Sequence, residues 1–257
     1  LYLLLAIGFK GGHSLGEHGL RADLFAAIAV GLLLSFALPF LAFLLLRALT
    51  RLDATTAAAV AGHYGSISIV TFVAATSLLD LSGIKFDGYM VAVAASMEVP
   101  AILSALWIAG RYAGDTSTKG VPARELLTNG SVVLLVGAFV IGAVTQDKGM
   151  AMIAPFVVTP FTGILCIFML DMGITAGSNL LKNSHMLSAG LFGFGMLMPL
   201  LSSLLAWGLG AAIGLQTGSL FLLMVLAASA SYIAVPAAMR IALPKANPGI
   251  YLTLSLG

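Results

Sequence analysis

Two stretches of this chain place hydroxyls and small residues where an apolar helix would otherwise continue. Ala61-Gly-His-Tyr-Gly-Ser-Ile-Ser-Ile-Val70 interrupts one hydrophobic run, and Ala227-Ala-Ser-Ala-Ser-Tyr-Ile-Ala-Val-Pro236 interrupts another. In hydrocarbon no water replaces a broken backbone ladder, so such a break is tolerated only where protein encloses it. The hydroxyls of Ser66, Ser68, Ser229 and Ser231, with the orphan N–H groups at a half-helix N-terminus, suit a small anion. Dipole and donors attract it without a full positive charge that would trap it. Carbonyls freed on the other side of each break suit Na⁺, so Ser66 and Ser231 are sodium candidates as well. The competing reading is that small residues only allow close helix packing, each serine bonding to its own backbone.

Of ten acidic residues, Glu98 and Asp171 stand away from loops and run ends. A carboxylate in hydrocarbon is costly, and a retained one faces a cavity, a partner or an ion path. Glu98 lies near mid-run in Ser96-Met-Glu-Val-Pro100, where Pro100 frees the Ser96 carbonyl, and the two together suit a sodium ion. A protonated glutamate bonded to a neighbouring helix is the alternative. Asp171 is a second ion-path candidate, or reaches interfacial water from near its run's end. His63, Tyr64 and Tyr232 flank the breaks, to shape or gate the site or simply to hydrogen-bond; Tyr232 is counted with the anion candidates. No nucleophile has a convincing base, no His-Glu-x-x-His occurs, and the glycines follow no strand, so neither an enzyme nor a nucleotide site is expected. The single cysteine, Cys166, and the scattered methionines read as packing residues.

The elements that position these residues are membrane helices. The 257 residues are 60% hydrophobic and 9% charged, with a mean hydropathy of +1.08, which excludes a soluble globular domain. The formal charge of +2 lies mostly in short loops and marks topology, not a nucleic-acid footprint. Hydrophobic runs fall at Leu1–Phe9, Leu24–Leu46, Ala54–Leu79, Tyr89–Ile108, Ser131–Val144, Met152–Thr175, Leu187–Ile213, Leu220–Leu243 and from Pro248 on. Seven are plausible crossings and the outer two are fragments, so both ends read as truncated. Shifting the chain by 165 residues superimposes Gly8 on Gly173, Gly12 on Gly177 and Ser66 on Ser231. This predicts an all-α polytopic membrane protein with two inverted repeats of five helices, the first helix missing. The expected division is 1–114 for the first repeat, 115–129 for a cytoplasmic linker and 130–257 for the second. Lys and Arg favour the linker side, which places Arg111 to Asn129 inside the cell.

Leu3-Leu-Leu-Ala-Ile-Gly-Phe-Lys-Gly-Gly12, Ala61-Gly-His-Tyr-Gly-Ser-Ile-Ser68, Met97-Glu-Val-Pro-Ala101, Leu170-Asp-Met-Gly173, Ala227-Ala-Ser-Ala-Ser231 and Pro244-Lys-Ala-Asn-Pro248 occur in this order. Over essentially its whole length the chain resembles the sodium-dependent bicarbonate transporters of cyanobacteria and their bacterial homologues. The resemblance implies ten spans, two discontinuous crossing helices, an elevator-type core moving against a scaffold, and a homotrimer in the bacterial inner membrane. It also implies Na⁺-coupled bicarbonate uptake at Gly65, Ser66, Ser68, Ser229 and Ser231. The chain departs from the family pattern at Tyr232, which replaces an aspartate, at Ala230, which replaces a serine, and at Glu98, which replaces an aspartate. The family's cytoplasmic regulatory protein would meet only the short stretch between Arg111 and Asn129.

The expectation is therefore a secondary transporter that needs no cofactor beyond Na⁺ as coupling ion, with bicarbonate as first candidate among small anions. The alternatives are a Na⁺/H⁺ antiporter, a carrier of organic anions of the bile-acid type, and, from another class, a transport-incompetent membrane sensor.

Overall fold

The computed structural model describes residues 2–18, 22–112, 130–183, 188–232, 235–236, 239 and 243–256. The regular elements among them are all helices: α1 Tyr2–His18, α2 Ala22–Leu49, α3 Ala54–Gly65, α4 Ile69–Leu81, α5 Met90–Ser96, α6 Glu98–Tyr112, α7 Gly130–Val157, α8 Phe161–Asn183, α9 Ala189–Ala212, α10 Thr217–Ala228 and α11 Pro248–Leu256. The linker expected at 115–129 lies outside the described residues, as does most of the chain between Tyr232 and Leu243.

Among the described residues, four stretches are long and apolar enough to cross a bilayer: Asp23–Leu49, Ala54–Leu81, Met90–Tyr112 and Ala189–Ala212. A fifth results if Val136–Val157 and Phe161–Asp171, bent by 50°, are counted together. The seven crossings read from hydropathy are redrawn mainly here. The polar stretch around Lys148 marks a kink: within Gly130–Val157 the helical geometry is interrupted at Gln146, at φ 47° and ψ −139°, between the runs that end at Val144 and begin at Met152. That conformation costs a non-glycine residue about 1–3 kcal/mol, and the adjoining Asp147 is anchored to His13 of α1 at 2.8 Å. The run from Met152 to Thr175 breaks instead at Val158–Pro160, because the residue before a proline is driven out of helical geometry.

Backbone-to-backbone approach organises the periphery. Gly12 and Gly16, four apart on α1, face α7, and a Cβ at Gly12 would overlap the Phe139 carbonyl. Gly142 of α7 returns the contact against the Phe9 carbonyl. Only glycine permits helices to meet this closely. Helices α4 and α9 close on Gly83 (φ 67°) and Gly214 (φ 74°), with Ile84 N–H on Leu79 O at 2.9 Å and Leu215 N–H on Gly210 O at 3.0 Å.

Helix α2 is the central post. Asp23 in its first turn and Arg47 in its last complement the helix dipole, and it packs on α3, α5, α6 and α9. Pro39 lies inside it, and Gly65 at the end of α3 is seated on that proline. A Cβ at position 65 would stand 2.5 Å from Pro39 Cδ and 2.8 Å from Ser35 O. Large apolar side chains on α2 (Leu33, Phe36, Leu44) and α9 (Phe192, Leu200, Leu204, Trp207) are exposed, faces that hydrocarbon or another apolar surface accommodates and water does not.

Helices α3 and α10 are alike in detail. Each has twelve residues, their N-caps Asp53 and Gln216 share φ −62° and ψ 155°, and their C-caps Ser66 and Ser229 are both extended. From Asp53 to Gln216, and from Ser66 to Ser229, the step along the chain is the same 163 residues. Measured cap to cap, the offset between these two helices is two residues less than the 165-residue shift read from the sequence.

Candidate binding site at the crossing of two helix breaks

The first break runs from Ser66, the C-cap of α3, to Ser68, the N-cap of α4. Helix α3 starts on Asp53, whose carboxylate accepts from Thr56 N–H at 2.9 Å, and stops where Gly65 meets the α2 proline. Helix α4 restarts because Ser68 Oγ accepts from Thr71 N–H at 3.2 Å and from the Thr71 hydroxyl at 2.9 Å. The second break opens at Ser229, where α10 ends. Its continuation through Tyr232 has no helical bonds, and Val235 and Pro236 beyond it are again helical.

The breaks are clasped to each other by three hydrogen bonds. Ser68 N–H donates to Ser229 Oγ at 2.9 Å. Ser231 N–H donates to the His63 carbonyl at 2.8 Å. His63 Nδ1 donates to the Ser231 carbonyl at 2.5 Å, the direction being fixed because a carbonyl only accepts. Backbone groups freed by breaking one helix are thus satisfied by the other, as a buried discontinuity requires.

A hydrogen-bond account sorts the hydroxyls. Ser229 Oγ accepts from Ser68 and donates to Leu226 O at 2.9 Å, so it is fully engaged within the clasp. Ser68 Oγ accepts twice and keeps its own hydrogen to give. The Tyr232 phenol approaches Ser68 but closes no hydrogen bond of acceptable geometry, and its oxygen is enclosed without a partner among the described residues. Ser66 is buried, and its Oγ likewise has no partner. Ser231 is buried and enters the clasp through its backbone.

Glu98 opens α6 directly after the Met97 interruption that ends α5. As a residue it is half-buried, yet Oε2 itself is enclosed and has no partner among the described residues. The break beside it is held by Ser35 of α2, whose hydroxyl donates to Met97 O at 2.5 Å, while Ser96 Oγ donates to Val93 O at 2.7 Å. Helix α6 reaches the crossing elements through Ala105, which lies against Gly62 of α3. Neither Glu98 Oε2 nor Ser66 Oγ bonds to the other or to any other described group. Asp171 lies exposed on α8.

Several supports had no clear signal in the sequence. Asn247, in the Ala-Asn-Pro turn, accepts from Gly249 N–H at 2.9 Å, and its own N–H donates to Thr56 Oγ1 at 3.1 Å. The turn thereby lays α11 along α3. There Tyr251 stacks on the His63 ring at 5.3 Å, and the Tyr64 hydroxyl donates to Leu254 O at 2.8 Å. At the far end of α10, Ser219 Oγ accepts from Asp87 N–H at 2.9 Å and donates to Asp87 Oδ2 at 2.7 Å. Helix α10 is therefore tied to the first half of the chain at both ends. These partners are more than a hundred residues apart, so only the fold brings them together.

Among curated proteins none matches the chain. A family model described as the Na⁺-dependent bicarbonate transporter superfamily matches residues 1–257, the entire sequence. Helices of bilayer length, two breaks clasped across the chain, and a match from end to end agree on a multi-pass membrane transporter. The chain belongs to the Na⁺-dependent bicarbonate transporter superfamily.

Proposed function

We propose that the chain carries out Na⁺-coupled uptake of a small anion, with bicarbonate the first candidate, through the crossing of its two broken helices. The observation that carries the reading is the clasp between Ser68 and Ser229 and between His63 and Ser231, with the enclosed and unpartnered Ser66 Oγ and Tyr232 OH beside it. Enclosed polar groups without protein partners are costly unless a ligand uses them. The anion takes the hydrogens of Ser66 and Ser68 and the positive end of α4, with Gly65 letting it approach the backbone. Sodium takes Glu98 and the unwound carbonyls at Ser66 and Ser231. Either ion alone leaves unbalanced charge in a low-dielectric site, which couples their binding.

The matched lengths and caps of α3 and α10 support two inverted repeats of five helices, with 1–114 and 130–257 as the repeat units. Elevator motion, a homotrimer and the bacterial inner membrane follow from the family reading. A cytoplasmic regulatory protein would find its place on the Arg111 to Asn129 stretch, and Asp171 would serve as a second residue on the ion path.

A second reading, exchange of Na⁺ for a proton, draws on the unpartnered Oε2 of Glu98. Thermal unfolding of the purified protein separates the two. Ligand that binds only the folded state raises its stability. Sodium bicarbonate should raise the midpoint well above sodium chloride or choline bicarbonate alone. A rise with sodium that bicarbonate does not increase would favour the antiporter.

A further inference from the structure

The His63 ring is fully buried and held from two sides, by its Nδ1 bond to Ser231 O and by Tyr251 stacked on its face. Because Nδ1 carries a hydrogen, the remaining nitrogen decides the ring's chemistry. Nε2 is enclosed and has no partner among the described residues. A charged imidazolium would bury a second N–H with nothing to accept it, so the ring is neutral and Nε2 presents a lone pair. Three residues on, Ser66, the extended C-cap that ends α3, carries an Oγ that is likewise enclosed and without a partner among the described residues. The first break and the helix turn before it thus carry one buried acceptor and one buried hydroxyl donor, three residues apart in the chain.

A singly protonated oxyanion needs that combination, since its O–H requires an acceptor and its charged oxygens require donors. We propose that His63 Nε2 accepts the acidic hydrogen of the transported anion while Ser66 holds a charged oxygen. The site then selects protonated oxyanions such as bicarbonate over anions of the same shape and charge that lack the hydrogen, such as nitrate. Nitrate would set an oxygen lone pair against that of Nε2 and leave both desolvated. A buried polar group left unpaired in this way is what makes such sites selective. The inference rests on the bicarbonate reading above and adds to it the residue that reads the proton.

The test is Na⁺-driven uptake of labelled bicarbonate into proteoliposomes, with unlabelled bicarbonate or nitrate as competitor, for the wild type and His63→Asn. The asparagine amide nitrogen takes the place of Nδ1 and keeps the bond to Ser231 O, but no atom takes the place of Nε2. In the wild type, nitrate should compete at about 10-fold or more higher concentration than bicarbonate. In His63→Asn, uptake should weaken and that ratio should fall towards one. Equal competition by nitrate in the wild type would overturn the proposal without any variant, and so would an unchanged ratio in His63→Asn. If the wild type takes up no bicarbonate under a sodium gradient, the transport reading fails first and takes this inference with it.

Discussion

Removing the Ser229 hydroxyl should unfasten the two breaks. In Ser229→Ala the Ser68 N–H loses its acceptor at 2.9 Å and Leu226 O loses a donor at 2.9 Å. Ser68 is 4% exposed, so water does not replace the acceptor. The net worth of an ordinary hydrogen bond is about 1 kcal/mol, and an orphaned buried donor costs about 1–3 kcal/mol. Interhelical bonds in membranes average only about 0.6 kcal/mol, because a side chain freed in lipid finds other partners. The donor here is a backbone N–H fixed by the Ser68 cap on Thr71, and it cannot turn elsewhere. The upper range therefore applies, about 2 kcal/mol, or roughly 30-fold in the unfolding equilibrium. Equilibrium unfolding in mixed micelles measures it. Ser203→Ala is the control, because that exposed hydroxyl bonds only Leu200 O on its own helix, and it should change stability by less than about 0.5 kcal/mol. Ser229→Thr keeps the hydroxyl and should recover most of the loss. A Ser229→Ala protein as stable as the wild type would refute the clasp.

Three further changes test other joints. Gly65→Ala places a Cβ 2.5 Å from Pro39 Cδ and 2.8 Å from Ser35 O, so it should destabilise by about 1–3 kcal/mol in the same unfolding assay and weaken uptake by shifting the first break. Gly12→Ala meets the Phe139 carbonyl of α7 and should cost about as much, yet leave the dependence of uptake on bicarbonate concentration unchanged, because no residue of the α1–α7 seam takes part in the clasp. Glu98→Gln removes the enclosed carboxylate oxygen and should flatten the sodium dependence of transport, while a sodium dependence equal to the wild type would take Glu98 out of the ion site.

The breaks were legible because Gly62, Gly65, Ser66, Ser68, Ser229 and Ser231 stand in runs that are otherwise apolar, and no packing need of a lone helix explains them. Glu98 stood out for the same reason, and it lies at a real interruption between α5 and α6. Which serine hydroxyl stays open was not legible. Ser66 and Ser229 close their helices alike, yet only Ser229 meets a partner strand of backbone, the one that begins at Ser68. The role of Asn247 was visible only as a turn, since its partner Thr56 is far away in the chain. Hydropathy also misplaced the α7–α8 boundary. Thr159-Pro160 is flanked by apolar residues, so the run reads as continuous although a proline breaks its geometry. The kink at Gln146 falls in the polar gap between the runs Ser131–Val144 and Met152–Thr175, but its positive φ was not legible, because glycine would be expected there and a glutamine stands instead.

The decisive experiment is uptake of labelled bicarbonate into proteoliposomes with and without an inward sodium gradient. Accumulation should require the gradient and be lost when Ser66 and Ser231 are both changed to alanine in a protein that still folds. Accumulation without sodium, or normal uptake by the doubly substituted protein, would contradict Na⁺-coupled uptake through the crossing.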